Sequence, residues 1–245
     1  MHKIIVYVAC LVFLKIEAEE LWIKTLEEML INRNPLQENI LNPSHVYGPC
    51  KGNIFIKNMI DDPSILIGDF TYAHMEYLEG ERVLRSLVPY SFGDKRLIIG
   101  KFCSIGWGAQ FISPYANHQI NSFTTYPFWH IFSDKESIRP WLEGADMKGD
   151  TVVGNDVWFG KESIIMPGIS IGDGAVIAAR SVVTQDVPPY AIACGNPAKI
   201  IRFRFSPDII EELLKIQWWD WDIEKIARYH HVLMNSDIEE LKSIE

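Results

Sequence analysis

VGNDVWFGKESIIMPGISIGDGAVIAARSVVTQDVP, residues 153–188, decides the fold. Read in sixes it gives VGNDVW, FGKESI, IMPGIS, IGDGAV, IAARSV and VTQDVP. The first position is Val153, Phe159, Ile165, Ile171, Ile177 and Val183, all bulky and apolar. The second is Gly154, Gly160, Met166, Gly172, Ala178 and Thr184, mostly small. The fifth is Val157, Ser163, Ile169, Ala175, Ser181 and Val187, small or β-branched. A period of six fits neither an amphipathic helix nor a two-sided strand. It marks a hexapeptide β-solenoid, in which each six forms one flat face and three faces close a triangular coil. First-position side chains point to the coil axis and stack on their equivalents about 4.8 Å above and below. The small residue that follows sits at a bend, where glycine admits backbone angles that a Cβ forbids.

A β-sandwich with a chance rhythm is the competing reading, and the rhythm returns upstream. In IIGKFCSIGWGAQF, Ile99, Ile105 and Phe111 hold the first position, with Gly100 and Gly106 after the first two. IGDFTY, residues 67–72, repeats it once more. Two interruptions separate these pieces. Residues 73–97 are charged and irregular, and residues 113–150 carry His118 among prolines and aromatics. Insertions in a solenoid become loops on one side, where function often resides.

A chain of 245 residues suits one large domain with appendages. Three parts are expected: an N-terminal extension over 1–42, a β-helix domain over 43–205 with its insertion at 113–150, and a helical segment over 206–245. The net charge of −9 argues against nucleic acid as a partner. Cys10, Cys50, Cys103 and Cys194 form no CxxC pair, which supports neither a metal site nor a disulfide framework. Cys103 falls at a fifth position and reads as a core thiol. Residues 4–14 are apolar but too short to span a bilayer comfortably. They read either as a signal peptide cut after Ala18 or as part of a packed N-terminal helix. The expectation is a cytoplasmic protein without stable membrane association, with the signal or anchor over 1–18 as the alternative.

The pieces LIIGKFCSIG (97–106), ANH (116–118), TYPF (125–128), GDTVVGNDVWFG (149–160), IMPGISIGDGAVIAARSVVT (165–184), GNPAKIIRFRF (195–205) and WWDW (218–221) resemble the xenobiotic acetyltransferases of the hexapeptide-repeat superfamily. That family includes streptogramin A (virginiamycin) and type B chloramphenicol acetyltransferases. The resemblance implies a left-handed parallel β-helix, assembly as a homotrimer, and direct acetyl transfer from acetyl-CoA to a hydroxyl with no metal. A hydroxyl is a weak nucleophile at neutral pH and needs a base within hydrogen-bond reach. His118 matches the family's catalytic histidine, and imidazole titrates near working pH. Trp158 matches a tryptophan beside that histidine. Tyr72 and Tyr90 match positions that face the acceptor.

The cofactor's pantetheine amides suit the backbone of coil edges, where Gly160, Ala178 and Ala179 permit close approach. Its phosphates need cations, and Lys199, Arg202 and Arg204 concentrate them beyond the turn Asn196-Pro197-Ala198. Between His118 and Tyr126 the sequence QINSFTT departs from relatives that carry Arg or Tyr followed by Asp. The acceptor therefore stays open among a streptogramin A, which is favoured, chloramphenicol, and other hydroxylated metabolites or sugars. A non-catalytic hexapeptide scaffold is the alternative of another class.

After Arg204 the pattern turns helical. Ser206-Pro207-Asp208 reads as a capped helix start. Asp222 opens a second helix, and Asn235 with Ser236 a third. These helices are expected to cover the open end of the solenoid, with Trp218, Trp219 and Trp221 as their packing surface.

Overall fold

A computed structural model describes residues 53–57, 59–75, 86–89, 93–132, 136, 138 and 148–244. The expectations for residues 1–42 and for Tyr90 lie outside these. The strands wind into a three-faced parallel solenoid. The first face holds β2 (Ile65–Ile67), β4 (Leu97–Ile99), β7 (Thr151–Val153) and β10 (Ser170–Ile171). The second holds β1 (Asn53–Phe55), β3 (Tyr72–His74), β5 (Ser104–Ile105), β8 (Trp158–Phe159), β11 (Val176–Ile177), β13 (Ala191–Gly195) and β14 (Ala198–Phe203). The third holds β6 (Gln110–Phe111), β9 (Ile164–Ile165) and β12 (Val182–Val183). Phe159 and Ile177, three sixes apart, are parallel register partners, as are Ile165 and Val183. Among the described residues only the two ends of the second face differ, where β1 on β3 and β14 on β13 run antiparallel.

The hexapeptide logic holds residue by residue. All six first-position side chains from Val153 to Val183 are buried, and so are all six fifth-position residues. Each buried aliphatic contributes about 1.5–3 kcal/mol. Cys103 is buried with them, and burial pushes its thiol up to about 12. Second-position glycine has a different cause from torsional freedom. A Cβ on Gly160 would stand 2.4 Å from the Ala179 backbone nitrogen, so the coils stack only because that atom is missing.

Torsional demand falls one residue before the fifth position. Phe70, Phe102, Asp156, Gly174 and Tyr190 occupy equivalent turns between the first and second faces, all with positive φ. Gly108, Glu162 and Arg180 do so between the second and third. Along the first of these corners Phe70 stacks on Phe102, with centroids 5.0 Å apart.

The C-terminal helices lie against that same corner and do not close the solenoid's end. Trp218 packs on Phe102 at 5.0 Å, and Lys101 pairs with Asp220. The short α1 (Trp129–Phe132) lies in the insertion, and the C-terminal segment holds α2 (Pro207–Ile216), α3 (Ile223–Leu233) and α4 (Ile238–Lys242). Leu213, Val232 and Leu241 bury against Tyr190. The aromatic corner offers apolar area along its length, and on the second face the end strand is already paired by β14. Ser206 stands at the N-cap of α2 without a side-chain capping bond. Asp222 caps α3 through the Lys225 amide. The cap of α4 is Asp237, which accepts from the Glu239 and Glu240 amides, and not Asn235 or Ser236.

Candidate active site

Strand alternation sends every second side chain of the second face outward. Tyr72, Ser104, Trp158, Val176, Ile192 and Arg202 are successive register partners across that face, with Ala73, Ile105, Phe159 and Ile177 turned into the core. Tyr72 and Trp158 therefore share one surface, separated by one strand, or about 10 Å. Trp158 is exposed at 56%. A large indole left this open on a β-face is a surface waiting for a neighbour.

The cationic end of the column is built by the hairpin β13–β14, closed by the turn at Asn196-Pro197. Lys199 pairs with Cys194 and Arg202 with Ile192, so a register shift after Ile192 leaves both cations on the outer surface. Arg202 stands three strands from Trp158, about 14 Å away. Ala178 and Ala179 follow β11 at the corner between the second and third faces, where Ala178 donates its amide to the Ala193 carbonyl.

Arg204 does not join this cluster. Its Nη1 donates to the Gly174 carbonyl at 2.7 Å and to Asp156 Oδ2 at 3.3 Å. The guanidinium lies 5.3 Å from the ring centres of both Tyr190 and Phe205. It is engaged at the corner under the helices, whereas Lys199 and Arg202 lie on the outer surface of the hairpin. Gly160 is likewise accounted for by the stacking contact described above.

His118 stands on the long insertion. That loop leaves after β6 on the third face and returns into β7 on the first, so it springs from the corner opposite the second face. A 3-10 turn over Pro114–Ala116 begins it, and Ser113 Oγ accepts from the Tyr115 amide. The Tyr115 hydroxyl donates to Asp94, which holds the Asp94 carboxyl below the usual range. The Tyr115 ring covers Gly93, where a Cβ would be 2.5 Å from Cε2.

Beyond this anchor His118 is exposed, and its Nδ1 lies 2.8 Å from the Thr125 carbonyl. A carbonyl only accepts, so Nδ1 carries a proton, and in the neutral ring this tautomer leaves the lone pair on Nε2. Sequence reasoning left the ring's orienting group unidentified. It is a backbone oxygen within the divergent QINSFTT stretch, which residue identity does not reveal. Around His118 the loop exposes Ile120 at 86%, Phe123 at 112% and Phe132 at 63%. No hydrogen bond or ring contact joins His118 to Trp158. Among the described residues no three His, Cys, Asp or Glu side chains cluster as a metal site, and no helix is long and apolar enough to cross a membrane.

Comparison with known proteins gives this arrangement its context. Residues 150–185 match the family model for the bacterial transferase hexapeptide (six repeats). A virginiamycin A acetyltransferase of Staphylococcus aureus is 46% identical over 218 residues, covering 86% of this chain and 94% of that one. A chloramphenicol acetyltransferase of Klebsiella aerogenes is 41% identical over 194 residues, 78% of this chain and 91% of the relative. A probable macrolide acetyltransferase of Lysinibacillus sphaericus is 50% identical over 153 residues, 62% of this chain and 85% of its own.

Proposed function

Because the chain belongs to the xenobiotic acetyltransferases of the hexapeptide-repeat superfamily, we propose that it moves the acetyl group of acetyl-CoA onto a hydroxyl of a streptogramin A antibiotic. The observation that carries this reading is the 46% identity to the virginiamycin A enzyme, which extends over 86% of the chain. Chloramphenicol is the second reading, favoured by the 41% identity to its acetyltransferase. The solenoid is taken as left-handed, as the family implies.

In this mechanism the Thr125 carbonyl fixes the His118 tautomer, and Nε2 accepts the proton of the acceptor hydroxyl. The freed oxygen attacks the acetyl carbonyl. Collapse of the tetrahedral intermediate breaks the carbon–sulfur bond, and the departing thiolate takes the proton back from His118. No acyl-enzyme forms. Trp158 and Tyr72 contribute the wall of the groove. Lys199 and Arg202 hold the phosphates beside the Asn196-Pro197-Ala198 turn, and the pantetheine arm runs past Ala178 and Ala179 back toward Trp158.

Two copies build one site in this account. His118 rises from the corner opposite the face that carries Trp158, so a neighbouring copy's loop has to supply the base. The exposed Ile120, Phe123 and Phe132 on the loop, and Leu66 and Val152 on the first face, give such an assembly apolar area to bury. A closed trimer satisfies this head-to-tail arrangement three times.

The test is the release of CoA thiol by the purified chain with acetyl-CoA and, in turn, a streptogramin A, a streptogramin B and chloramphenicol. Turnover with the streptogramin A, and its loss by about 10²–10⁴ in His118→Ala, is expected. Wild-type turnover in the variant would remove His118 from the mechanism. Acetylation of chloramphenicol alone would transfer the assignment to the second reading.

A further inference from the structure

The charged interruption before β4 ends in Gly93-Asp94-Lys95-Arg96, a turn that the hexapeptide pattern does not explain. It touches both ends of the insertion that carries His118. We infer that this turn clamps the two stems of the insertion together and so positions the His118 ring, with Asp94 and Arg96 as positioning residues. The inference rests on the proposed role of His118 as the base.

The outgoing stem is the 3-10 turn Pro114–Ala116. Ser113 and Pro114 are buried, and the Ala116 and Asn117 amides donate to the Ser113 and Pro114 carbonyls at 3.0 and 3.3 Å. From this fixed turn the Tyr115 side chain reaches back to the clamp. Its ring lies over Gly93, and its hydroxyl donates to Asp94 Oδ1. Gly93 has φ +60, so a side chain there would be strained and would also strike the Tyr115 ring. Asp94 keeps its other oxygen for Lys95 Nζ at 3.1 Å.

The returning stem is held by the same four residues. Asp150 Oδ1 accepts from the Arg96 amide at 2.9 Å, and Oδ2 accepts from Arg96 Nε at 2.9 Å. These bonds hold the Asp150 carboxyl below its usual range. The Thr151 amide donates to the Arg96 carbonyl at 2.8 Å, where β7 joins β4.

His118 follows Tyr115 by three residues. Its ring is exposed, and the bond that orients it goes to Thr125 on the same insertion. An exposed ring held from within its own loop takes its place from the stems beneath that loop. Small displacements matter here, because misplacing a reacting group by about 1 Å can cost about 10²-fold in rate.

The experiment combines kinetics with the ring-nitrogen chemical shifts of the full chain labelled with 15N-histidine, at a pH where imidazole is neutral. The His118 signals are assigned by their loss in His118→Ala. Wild-type His118 should show the Nδ1–H tautomer. Tyr115→Phe keeps the ring over Gly93 and deletes the hydroxyl. It should lower kcat about three- to tenfold, the worth of one hydrogen bond, leave the KM for acetyl-CoA unchanged, and shift the ring toward Nε2–H. Asp94→Ala should do the same. Asp94→Asn keeps an acceptor oxygen for Tyr115 and should stay within about threefold of wild-type kcat. The inference is overturned if Tyr115→Phe and Asp94→Ala keep the wild-type ring shifts, if KM for acetyl-CoA rises while kcat holds, or if Asp94→Asn falls as far as Asp94→Ala. The ring shifts are read without substrate, so they decide the clamp even if no acceptor is acetylated and the proposed reaction fails.

Discussion

Replacing Gly160 by alanine separates a structural from a cofactor-contacting role at the coil edge. The added Cβ would stand 2.4 Å from the Ala179 nitrogen, 2.8 Å from the Ala178 carbonyl carbon and 2.8 Å from the Ala179 Cα. All three are backbone atoms, held by the Gly160–Ile177 and Ala178–Ala193 hydrogen bonds, so no flexible side chain can yield. Gly160 does not have positive φ, so the substitution carries no torsional penalty to confuse the result. Overpacking of this kind costs about 1–3 kcal/mol, and the reduced freedom of the unfolded chain returns about 0.4–1 kcal/mol. A net loss of about 1.3 kcal/mol corresponds to a Tm fall of about 3–5 °C for a chain of this size. Thermal unfolding at fixed protein concentration, without acetyl-CoA, reads it directly. A variant with unchanged Tm and a raised KM for acetyl-CoA would refute the stacking argument and return Gly160 to the cofactor.

The cationic residues divide in the same spirit. Lys199→Ala and Arg202→Ala should raise the KM for acetyl-CoA, more so at low salt, and leave that for acetyl-pantetheine unchanged, whereas Arg204→Ala should lower Tm in the absence of either donor; equal KM losses with both donors would mean that Lys199 and Arg202 serve the fold. Burial raises the Asp156 carboxyl above its ordinary value, an effect only partly countered by Arg204. The folded state then holds the proton more tightly than the unfolded one, so the stability linked to this group is present below the unfolded pKa and declines as pH rises through the raised folded value. Asp156→Asn, which tolerates the left-handed backbone there, should lack this decline, and parallel Tm–pH curves for the two proteins would contradict it.

The solenoid was legible because its signal is repeated. Each first-position side chain from Val153 to Val183 reports the same buried environment, so the period survives an occasional Met166 or Thr184 where a small residue is usual. The corners were less legible. Phe102, Glu162, Arg180 and Tyr190 adopt positive φ because neighbouring coils overdetermine the turn, although their residue types disfavour it. The basic cluster was read as one feature because sequence shows proximity and not direction. The register of β14 turns Lys199 and Arg202 outward, and the chain then bends Arg204 back to Tyr190 and Asp156. The helices were expected at the solenoid's end because an open sheet end needs cover; the β14 hairpin covers the end of the second face, and Trp218 packs on Phe102 at the corner. His118 was identified through resemblance, but the carbonyl that orients it belongs to the peptide backbone, and a sequence carries no record of where a given carbonyl points.

The most direct test of an active site shared between copies is complementation between two defective chains. His118→Ala keeps Trp158, and Trp158→Ala keeps His118. Each site in a trimer takes its base from one chain and its indole face from the next. If the two variants are unfolded together in equal amounts and refolded, about one site in four should combine an intact loop with an intact face. The assay is CoA thiol release with the streptogramin A, compared with each variant refolded alone. The account predicts two nearly inactive parents and a mixture with about a quarter of wild-type activity. A mixture no more active than the average of its parents, in assemblies shown to contain both chains, would contradict it.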